Sequence, residues 1–137
     1  MSTFDDIGKT AASAMTAQTL RLRTISENIA NANSTANSAG GDPYRRKLVT
    51  FKNVIDHETG ADTVKVDRIV PDAAPFEMKF MPGHPAADGN GYVRMPNVNP
   101  LVEMGDLREA QRSYQANVDV IDATNTMISR TIDLLRS

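Results

Sequence analysis

The C-terminal part of the chain carries apolar residues at heptad spacing. Asn99 followed by Pro100 is typical of a helix N-cap and the first residue of a helix. From residue 107 onwards, nine positions follow at alternating intervals of four and three residues, and seven of them are apolar. This stripe predicts a long helix that packs along a second helix, as in a coiled coil. Its positions are Leu107, Gln111, Tyr114, Val118, Ile121, Asn125, Ile128, Ile132 and Leu135.

An ordinary amphipathic helix on a globular core is the alternative explanation of this stripe. Such a helix needs an apolar surface of similar length to cover its apolar face. The middle of the chain offers too little apolar surface for that purpose. The pattern therefore favours pairing with another helix.

The N-terminal segment predicts that second helix, over residues 3–32. Thr3 can cap it, and Asp5 and Asp6 lie in the first turn, where acidic residues interact favourably with the helix dipole. Because the chain must return on itself, we expect the two helices to pair in antiparallel orientation. The stripe of this helix is narrow and rich in small residues: Met15, Leu22 and Ile29, with Ala11, Gln18, Ile25 and Ala32 in the companion positions.

The middle of the chain, residues 48–96, alternates between apolar and polar residues as strands do. Val64 and Val66 share one face of a candidate strand at 63–70, and Met78 and Phe80 share one face of another at 76–80. Residues 48–51 and 92–95 are further candidates, and Pro- and Gly-containing turns separate the four. This segment predicts a small antiparallel sheet or a few hairpins.

Together these patterns predict a mainly α fold with a small β-rich insert. The N- and C-terminal heptad helices pair as an antiparallel coiled coil, with short antiparallel strands between them. We expect residues 1–36 and 97–137 to form one discontinuous coiled-coil domain and residues 48–96 a small β-rich domain. Residues 37–47 form a loop with a basic triplet at 45–47, which we expect to be a solvated patch or a contact between subunits.

The composition limits how the protein can function. Leu, Ile, Val and Phe make up 29 of the 137 residues, so the core is thin and we expect the chain to order fully only against partners. Fifteen basic against 17 acidic residues disfavour nucleic-acid binding through bulk positive charge. No apolar run approaches the roughly 20 residues of a membrane span, and the acidic N-terminus is unlike a cleaved signal peptide.

Candidate chemistry is sparse along the whole sequence. There is no cysteine, which excludes disulfides and zinc–thiolate sites, and His57 and His84 both lie in loop-like sequence without a second ligand nearby. The segment 88–91 starts like a calcium loop but lacks Gly and Glu at the sixth and twelfth positions of that motif. We expect no catalytic residue, no metal, no cofactor and no small-molecule substrate.

Four motifs in the order 25–33, 42–47, 82–100 and 113–118 resemble those of the flagellar rod, hook and filament-type axial proteins. The first is Ile-Ser-Glu-Asn-Ile-Ala-Asn-Ala-Asn and the second Asp-Pro-Tyr-Arg-Arg-Lys. The resemblance covers nearly the full chain. The residues of the motifs that we single out are Asn28, Asn31, Asn33, Pro43, Tyr44, Arg45, Arg46, Lys47, Tyr92, Pro96, Asn97, Asn99, Pro100, Ser113, Tyr114, Gln115 and Asn117.

The resemblance implies a structural subunit of the rod, which assembles helically, transmits torque across the periplasm and encloses the export channel. It implies export by the flagellar type III apparatus without a cleaved signal peptide. It also implies contacts with other copies of the chain, with neighbouring rod proteins and with the export-gate adaptor protein. Packing between subunits would then involve Met15, Leu22, Ile25, Ile29, Leu107, Tyr114, Val118, Ile121, Ile128, Ile132 and Leu135.

Two other functional classes remain open from the residues alone. A coiled-coil adaptor or chaperone of a type III secretion system would also be helix-rich and free of cysteine, although the strand-like middle is against it. A small hydrolase would need a nucleophile arrangement, which the sequence does not contain.

The asparagines at 28, 31 and 33 lie where the first predicted helix ends. We expect their side-chain amides to bond across a subunit interface, because an amide both donates and accepts. Ordinary fraying of the helix end is the alternative, in which any polar residue would serve.

Overall fold

The computed structural model describes residues 2–136, which form two long helices and four strands. The helices occupy the two ends of the chain and the strands form two antiparallel pairs between them, β1 with β2 and β3 with β4. The prediction of a mainly helical fold with short antiparallel strands is therefore confirmed. The elements are α1 Ser2–Ala30, β1 Lys47–Ile55, β2 Asp62–Pro71, β3 Glu77–Phe80, β4 Tyr92–Met95 and α2 Pro100–Arg136.

The chain forms two compact units, and each long helix contributes to both. One unit consists of the described parts of 1–22, 49–68 and 108–137, and the other of 23–48 and 69–107. The first unit thus contains the beginning of α1, most of the β1–β2 hairpin and the last part of α2. The second contains the end of α1, the β3–β4 hairpin and the first turns of α2.

In the first unit, the two helices lie side by side and run in opposite directions. Arg21 Nη2 lies 3.6 Å from Glu109 Oε2, whereas Phe4, seventeen positions earlier in α1, lines the same groove as Ile128 in α2. The hairpin is attached to α1 by two hydrogen bonds. Thr10 Oγ1 donates to the carbonyl of Asp62 at 2.8 Å, and the backbone N–H of Val64 donates to a side-chain oxygen of α1 at 3.2 Å.

Small residues, not the large aliphatic ones, form the most buried face of the helices in this unit. Ala11 and Ala17 of α1 are buried, as are Ala110 and Thr124 of α2. Ala11 is a companion position of the predicted stripe, but the larger residues of that stripe in this unit, Met15, Gln18 and Leu22, are only half-buried. Small side chains allow two helix backbones to approach closely, but they bury little apolar area. The larger heptad side chains therefore lie at the flank of the contact within the chain.

The β3–β4 hairpin of the second unit is held by one buried side chain and one tight turn. Val93 of β4 is fully buried, while Met78 and Phe80 of β3 are exposed although they share a face as predicted. Phe80 pairs with Tyr92 across the strands, and their rings lie edge to face with centroids 5.2 Å apart. The turn closes with the N–H of Gly91 donating to the carbonyl of Asp88 at 3.0 Å.

Gly91 occupies a position that a side chain would disturb. Its φ is +85°, in the left-handed region. A Cβ added there would lie 2.8 Å from Cε2 of Phe80 and 3.1 Å from Cβ of Pro82. Backbone conformation and close approach therefore both require glycine, and they fix the ring of Phe80 over the turn.

We expect Gly91→Ala to lower the free energy of unfolding by about 2 kcal/mol, because it adds backbone strain and a steric overlap. Gly89→Ala is the matched control, since a Cβ on Gly89 meets nothing within 4 Å. Urea denaturation followed by circular dichroism measures both. Equal midpoints for the two variants would contradict the close approach at Gly91.

Candidate functional site

The last turn of α1 is fastened to the start of β1 by one side-chain amide. Asn28 is almost completely buried, and its Nδ2 donates to the carbonyl of Lys47 at 2.9 Å while its Oδ1 accepts from the N–H of Lys47 at 3.0 Å. Tyr44 donates its hydroxyl to the same Oδ1 at 2.7 Å. The side-chain amide thus donates to the C=O and accepts from the N–H of one residue, as the backbone of a neighbouring strand would.

Arg46 connects the loop before β1 to the start of α2. Its Nε donates to Oε1 of Glu103, and its two Nη atoms reach Asp72 Oδ2 at 3.1 Å and Asp106 Oδ2 at 3.4 Å. Its backbone N–H donates to Oδ1 of Asn97 at 2.7 Å. One guanidinium group therefore contacts three carboxylates, one directly after β2 and two from the first turns of α2.

Glu103 is the carboxylate at the centre of this arrangement, and it is completely buried. Its Oε1 accepts from Arg46 and its Oε2 accepts from Nδ2 of Asn28 at 3.3 Å. It lies in the first turn of α2, where the helix dipole favours a negative charge. A buried carboxylate without partners would be strongly destabilising, so these contacts are required by its burial.

These contacts define what we call the polar junction: Asn28, Tyr44, Arg46, Lys47, Asp72 and Glu103. It joins the end of α1, the loop before β1, the end of β2 and the beginning of α2. All of these residues belong to the second unit. The junction fixes the positions of four chain segments with a single connected set of hydrogen bonds.

Burial and neighbouring charges alter the acidity of two members of the polar junction. Burial, followed by the charges of Glu27 and Glu103, raises the pKa of Tyr44 from 10.0 to about 12. The pKa of Asp72 is lowered, first because the N–H of Ala74 donates to its carboxylate and then because Arg46 does. Both pKa shifts therefore favour the forms that the two groups already have around neutral pH, a neutral Tyr44 and a charged Asp72.

The linker after β2 is held by two side chains that donate to the same carbonyl groups. Arg45 Nη1 donates to the carbonyls of Asp72 and Ala74 at 2.7 and 3.1 Å, and Asn97 Nδ2 donates to the same two at 3.1 and 3.0 Å. The guanidinium of Arg45 also lies 4.1 Å above the centre of the Phe76 ring. Residues 72–76 are therefore fixed between the two hairpins.

The basic triplet 45–47, for which we expect a solvated patch or a contact between subunits, makes contacts within the chain. Arg45 and Arg46 make the contacts above, and Lys47 Nζ lies 2.6 Å from Oε1 of Glu27. Each of the three bases has a partner within the chain. The sequence shows the run of charges, but their carboxylate and carbonyl partners lie 20 to 60 residues away.

The expectation that the helix-end asparagines bond across a subunit interface is wrong for Asn28, whereas for Asn31 it stays a prediction. Asn28 is buried in the polar junction, and Asn31 donates to the carbonyl of Glu27 at 2.9 Å and accepts from Ser34 at the same distance. Asn31 therefore closes the end of α1 with local bonds. Fraying does not describe these two residues either. Asn33 is exposed.

The other motif residues are placed mainly at turns and helix ends. Asn99 caps α2, because its Oδ1 accepts from the N–H of Leu101 at 3.1 Å and its carbonyl accepts from the N–H of Glu103 at 3.0 Å, as predicted. Asn117 Nδ2 donates to the carbonyl of Ser113 at 2.8 Å. Pro43 and Pro96 are buried, Ser113 and Tyr114 are half-buried, and Tyr92, Pro100 and Gln115 are exposed.

The predicted packing residues differ in how far the chain itself covers them. Ile25 alone among them is buried. Met15, Leu22, Ile29, Leu107, Tyr114, Val118 and Ile121 are half-buried, and Ile128, Ile132 and Leu135 are exposed. The cover within the chain therefore decreases towards the end of α2.

Glu103 is the member of the polar junction that the sequence analysis missed, together with Asp72. The alternating spacing of the stripe continues backwards from Leu107 to Met104, so the heptad pattern does not mark Glu103. Nothing in the local sequence marks Asp72.

Between residues 2 and 136, the structure holds no group of three or more side chains suited to a metal ion. Neither helix, as far as it is described, is long and apolar enough to cross a membrane. The hydrogen bonds of the polar junction, which join four chain segments, make it a structural site.

Asn28→Asp should destabilise the protein by at least about 2 kcal/mol, because it removes the donor to the Lys47 carbonyl and places a carboxylate beside buried Glu103. Asn33→Asp adds the same charge to the same motif at an exposed position and should change stability by less than about 0.5 kcal/mol. Thermal and urea denaturation provide the test. Equal stabilities of the two variants would exclude a role for the Asn28 amide.

The stability advantage of the wild-type protein over Tyr44→Phe should shrink at high pH. Since the folded state raises the pKa of Tyr44 to about 12, its contribution is fully present below the ordinary value of 10.0 and is lost as pH rises through the folded value. The measurement is the urea midpoint of both proteins at neutral pH and above pH 10. A difference that stays constant across this range would contradict the burial of the hydroxyl.

Comparison with known proteins agrees with the position of these motifs. A family model described as "Flagella basal body rod protein" matches residues 9–37, and one described as "Flagellar basal body rod FlgEFG protein C-terminal" matches residues 90–134. The chain is also similar to three proteins named "Flagellar basal-body rod protein FlgC".

The three relatives come from distant bacteria. The protein from Agrobacterium fabrum is 53% identical over 94% of this chain and 93% of its own length. The protein from Salmonella typhimurium is 42% identical over 90% and 92%, and that from Bacillus subtilis is 37% identical over 90% and 93%. Because such identities extend over nine-tenths of both chains, this protein belongs to the FlgC family of flagellar basal-body rod proteins.

Proposed function

We propose that this chain, a structural subunit of the flagellar basal-body rod, assembles helically through the outer faces of its terminal helices. Its partners are other copies of itself and neighbouring rod proteins. In this arrangement the subunit forms part of the proximal rod, transmits torque and encloses the export channel. The observation that carries the proposal is the exposed apolar stripe at the end of α2.

That stripe has the spacing of a packing face but incomplete cover within the chain. Ile128, Ile132 and Leu135 follow the heptad pattern, and Leu135 is 82% exposed. An exposed row of large aliphatic side chains favours aggregation unless a partner covers it. The alignment of these residues on one face of the helix therefore indicates a packing partner. The small-residue contact between the two helices leaves this row available to neighbouring subunits.

The first turns of α2 expose further apolar residues in the second unit. Leu101 is 79% exposed, and Val102 and Met104 are about half-exposed. Two different apolar surfaces on one chain support heterologous contacts, in which one surface of a subunit meets a different surface of the next. Contacts of this kind build an open helix when the rotation between subunits does not close a ring. A helical tube is the form that a hollow shaft requires.

The heptad helices are part of this proposal as an antiparallel coiled coil. Residues 1–36 and 97–137 would form the helical domain that packs in the wall of the rod, and residues 48–96 would form the β-rich domain that faces outward. The antiparallel direction of the helices in the first unit supports the pairing. The predicted packing residues, from Met15 to Leu135, would then contact neighbouring subunits.

We also propose that the chain reaches the periplasm through the flagellar type III export apparatus without cleavage of a signal peptide. The thin core and the absence of cysteine suit a chain that is threaded unfolded and orders at the site of assembly. The export-gate adaptor protein of the basal body is a further proposed partner. Membership of a rod-protein family favours this role over that of a secretion chaperone or an enzyme.

Replacement of Ile132 by Asp should abolish swimming while leaving the isolated subunit folded. The side chain is 46% exposed in the subunit, so the charge costs little there, but it would be buried at each contact in the rod. Motility plates and a circular dichroism melt of the purified protein measure the two effects.

Thr126→Asp is the control for this experiment. It places the same charge on the opposite face of α2. There the positive charge of Arg130, four residues later, offsets the negative charge of Asp122, four residues earlier. Cells with this variant should swim normally. If Ile132→Asp cells also swim like wild type, the exposed stripe is not a packing surface of the rod.

A further inference from the structure

The end of α2 extends beyond the part of α1 that lies beside it. Ile128 lines the same groove as Phe4, close to the start of α1, and every described residue from 125 to 136 is exposed. The eight residues after Ile128 correspond to about 12 Å of helix. We call residues 129–136 the overhang; its heptad residues are Ile132 and Leu135.

The groove beside the overhang contains free space above the backbone of α1. It has a volume of about 270 Å³, and Gly8, Ala12 and Thr124 form its narrow part between the apolar side chains of Phe4 and Ile121. A Cβ built on Gly8 would meet nothing within 4 Å, so there is free space directly above the backbone of α1. Small residues flanked by large apolar ones form a hole that a leucine or isoleucine side chain fits.

The charges around the two surfaces are complementary. Asp5 at the rim of the groove is largely exposed, and its ion pair with Lys9 at 3.6 Å is a weak surface contact. The last described residue of the overhang is Arg136, which is exposed. When the overhang lies in the groove, Arg136 therefore comes close to Asp5. The apolar residues of the overhang and of the groove are then covered.

We propose that the overhang of one copy of this chain docks into this groove on a second copy, with Ile132 and Leu135 entering above Gly8. Both copies point in the same direction. The centre of the groove lies near Thr124 and the centre of the overhang near residue 133, so the two copies are offset by roughly 14 Å along the helix axis. The proposal rests on the proposed function and specifies one of its contacts.

This contact joins two different surfaces, so each copy keeps a free groove or a free overhang for the next. The axial offset gives every added copy a displacement along the helix direction. A row of copies joined in this way advances along the shaft axis and does not close into a flat ring.

Filling the groove tests the proposal without unfolding the subunit. Gly8→Phe occupies the open space and replaces glycine by a better helix former, so the melting midpoint should stay the same or rise. Swimming should be lost. Gly8→Ala has the same helix benefit but leaves most of the groove open, and its cells should swim normally. Normal swimming of Gly8→Phe cells would overturn the proposal.

A disulfide between copies tests the geometry directly, because the natural chain has no cysteine. Gly8→Cys combined with Leu135→Cys should give covalent dimers and longer chains when isolated basal bodies are oxidised. Within one copy the two positions are separated by more than 10 Å of helix, which exceeds the span of a disulfide. Each single variant should remain monomeric on a denaturing gel.

The outcomes separate this proposal from the proposed function. Basal bodies that contain the double variant but yield no covalent dimer after oxidation would overturn the docking and leave the rod function intact. A cross-link to a different protein would exclude the second copy as the occupant. If the wild-type chain itself were absent from purified basal bodies, the proposed function would fail first.

Discussion

The burial of Glu103 is the constraint on which the second unit of this protein depends. A carboxylate removed from water must be matched by donors, and here the donors are Arg46 and the amide of Asn28. Asn28 can act as such a donor only if α1 ends beside β1. Arg46 can act as one only if the loop before β1 lies next to α2. One buried charge therefore ties together the helix ends and the strand start.

The sequence predicted the elements well because their signals are local. The Asn99–Pro100 start of α2 and the alternation in β4 depend on residues within a few positions of each other, and both were predicted at the observed positions. The partners of Arg46 could not be predicted in this way. They come from segments 26 to 60 residues away, and a single sequence does not indicate which of 17 acidic residues will meet a given base.

The heptad pattern was informative in an unexpected sense. It identified helices, but the face most covered within the first unit is made by Ala17, Ala110 and Thr124, beside the aliphatic stripe. A stripe of large side chains shows where a helix can pack, not against which molecule. In the proposed assembly, the large apolar residues of the stripe would face neighbouring subunits, and the contact within the chain uses smaller residues.

The sequence separations within the polar junction have a kinetic consequence. Asn28 and Glu103 are 75 residues apart, and Arg46 and Glu103 are 57 apart. Contacts of such high order form slowly, and they cannot form at all until both segments are free in the same space. In the proposed export, a chain that leaves a narrow channel with its N-terminus first could form the Arg46–Glu103 pair only after about three-quarters of its length has emerged. Folding of the second unit would then be delayed until most of the chain has left the channel.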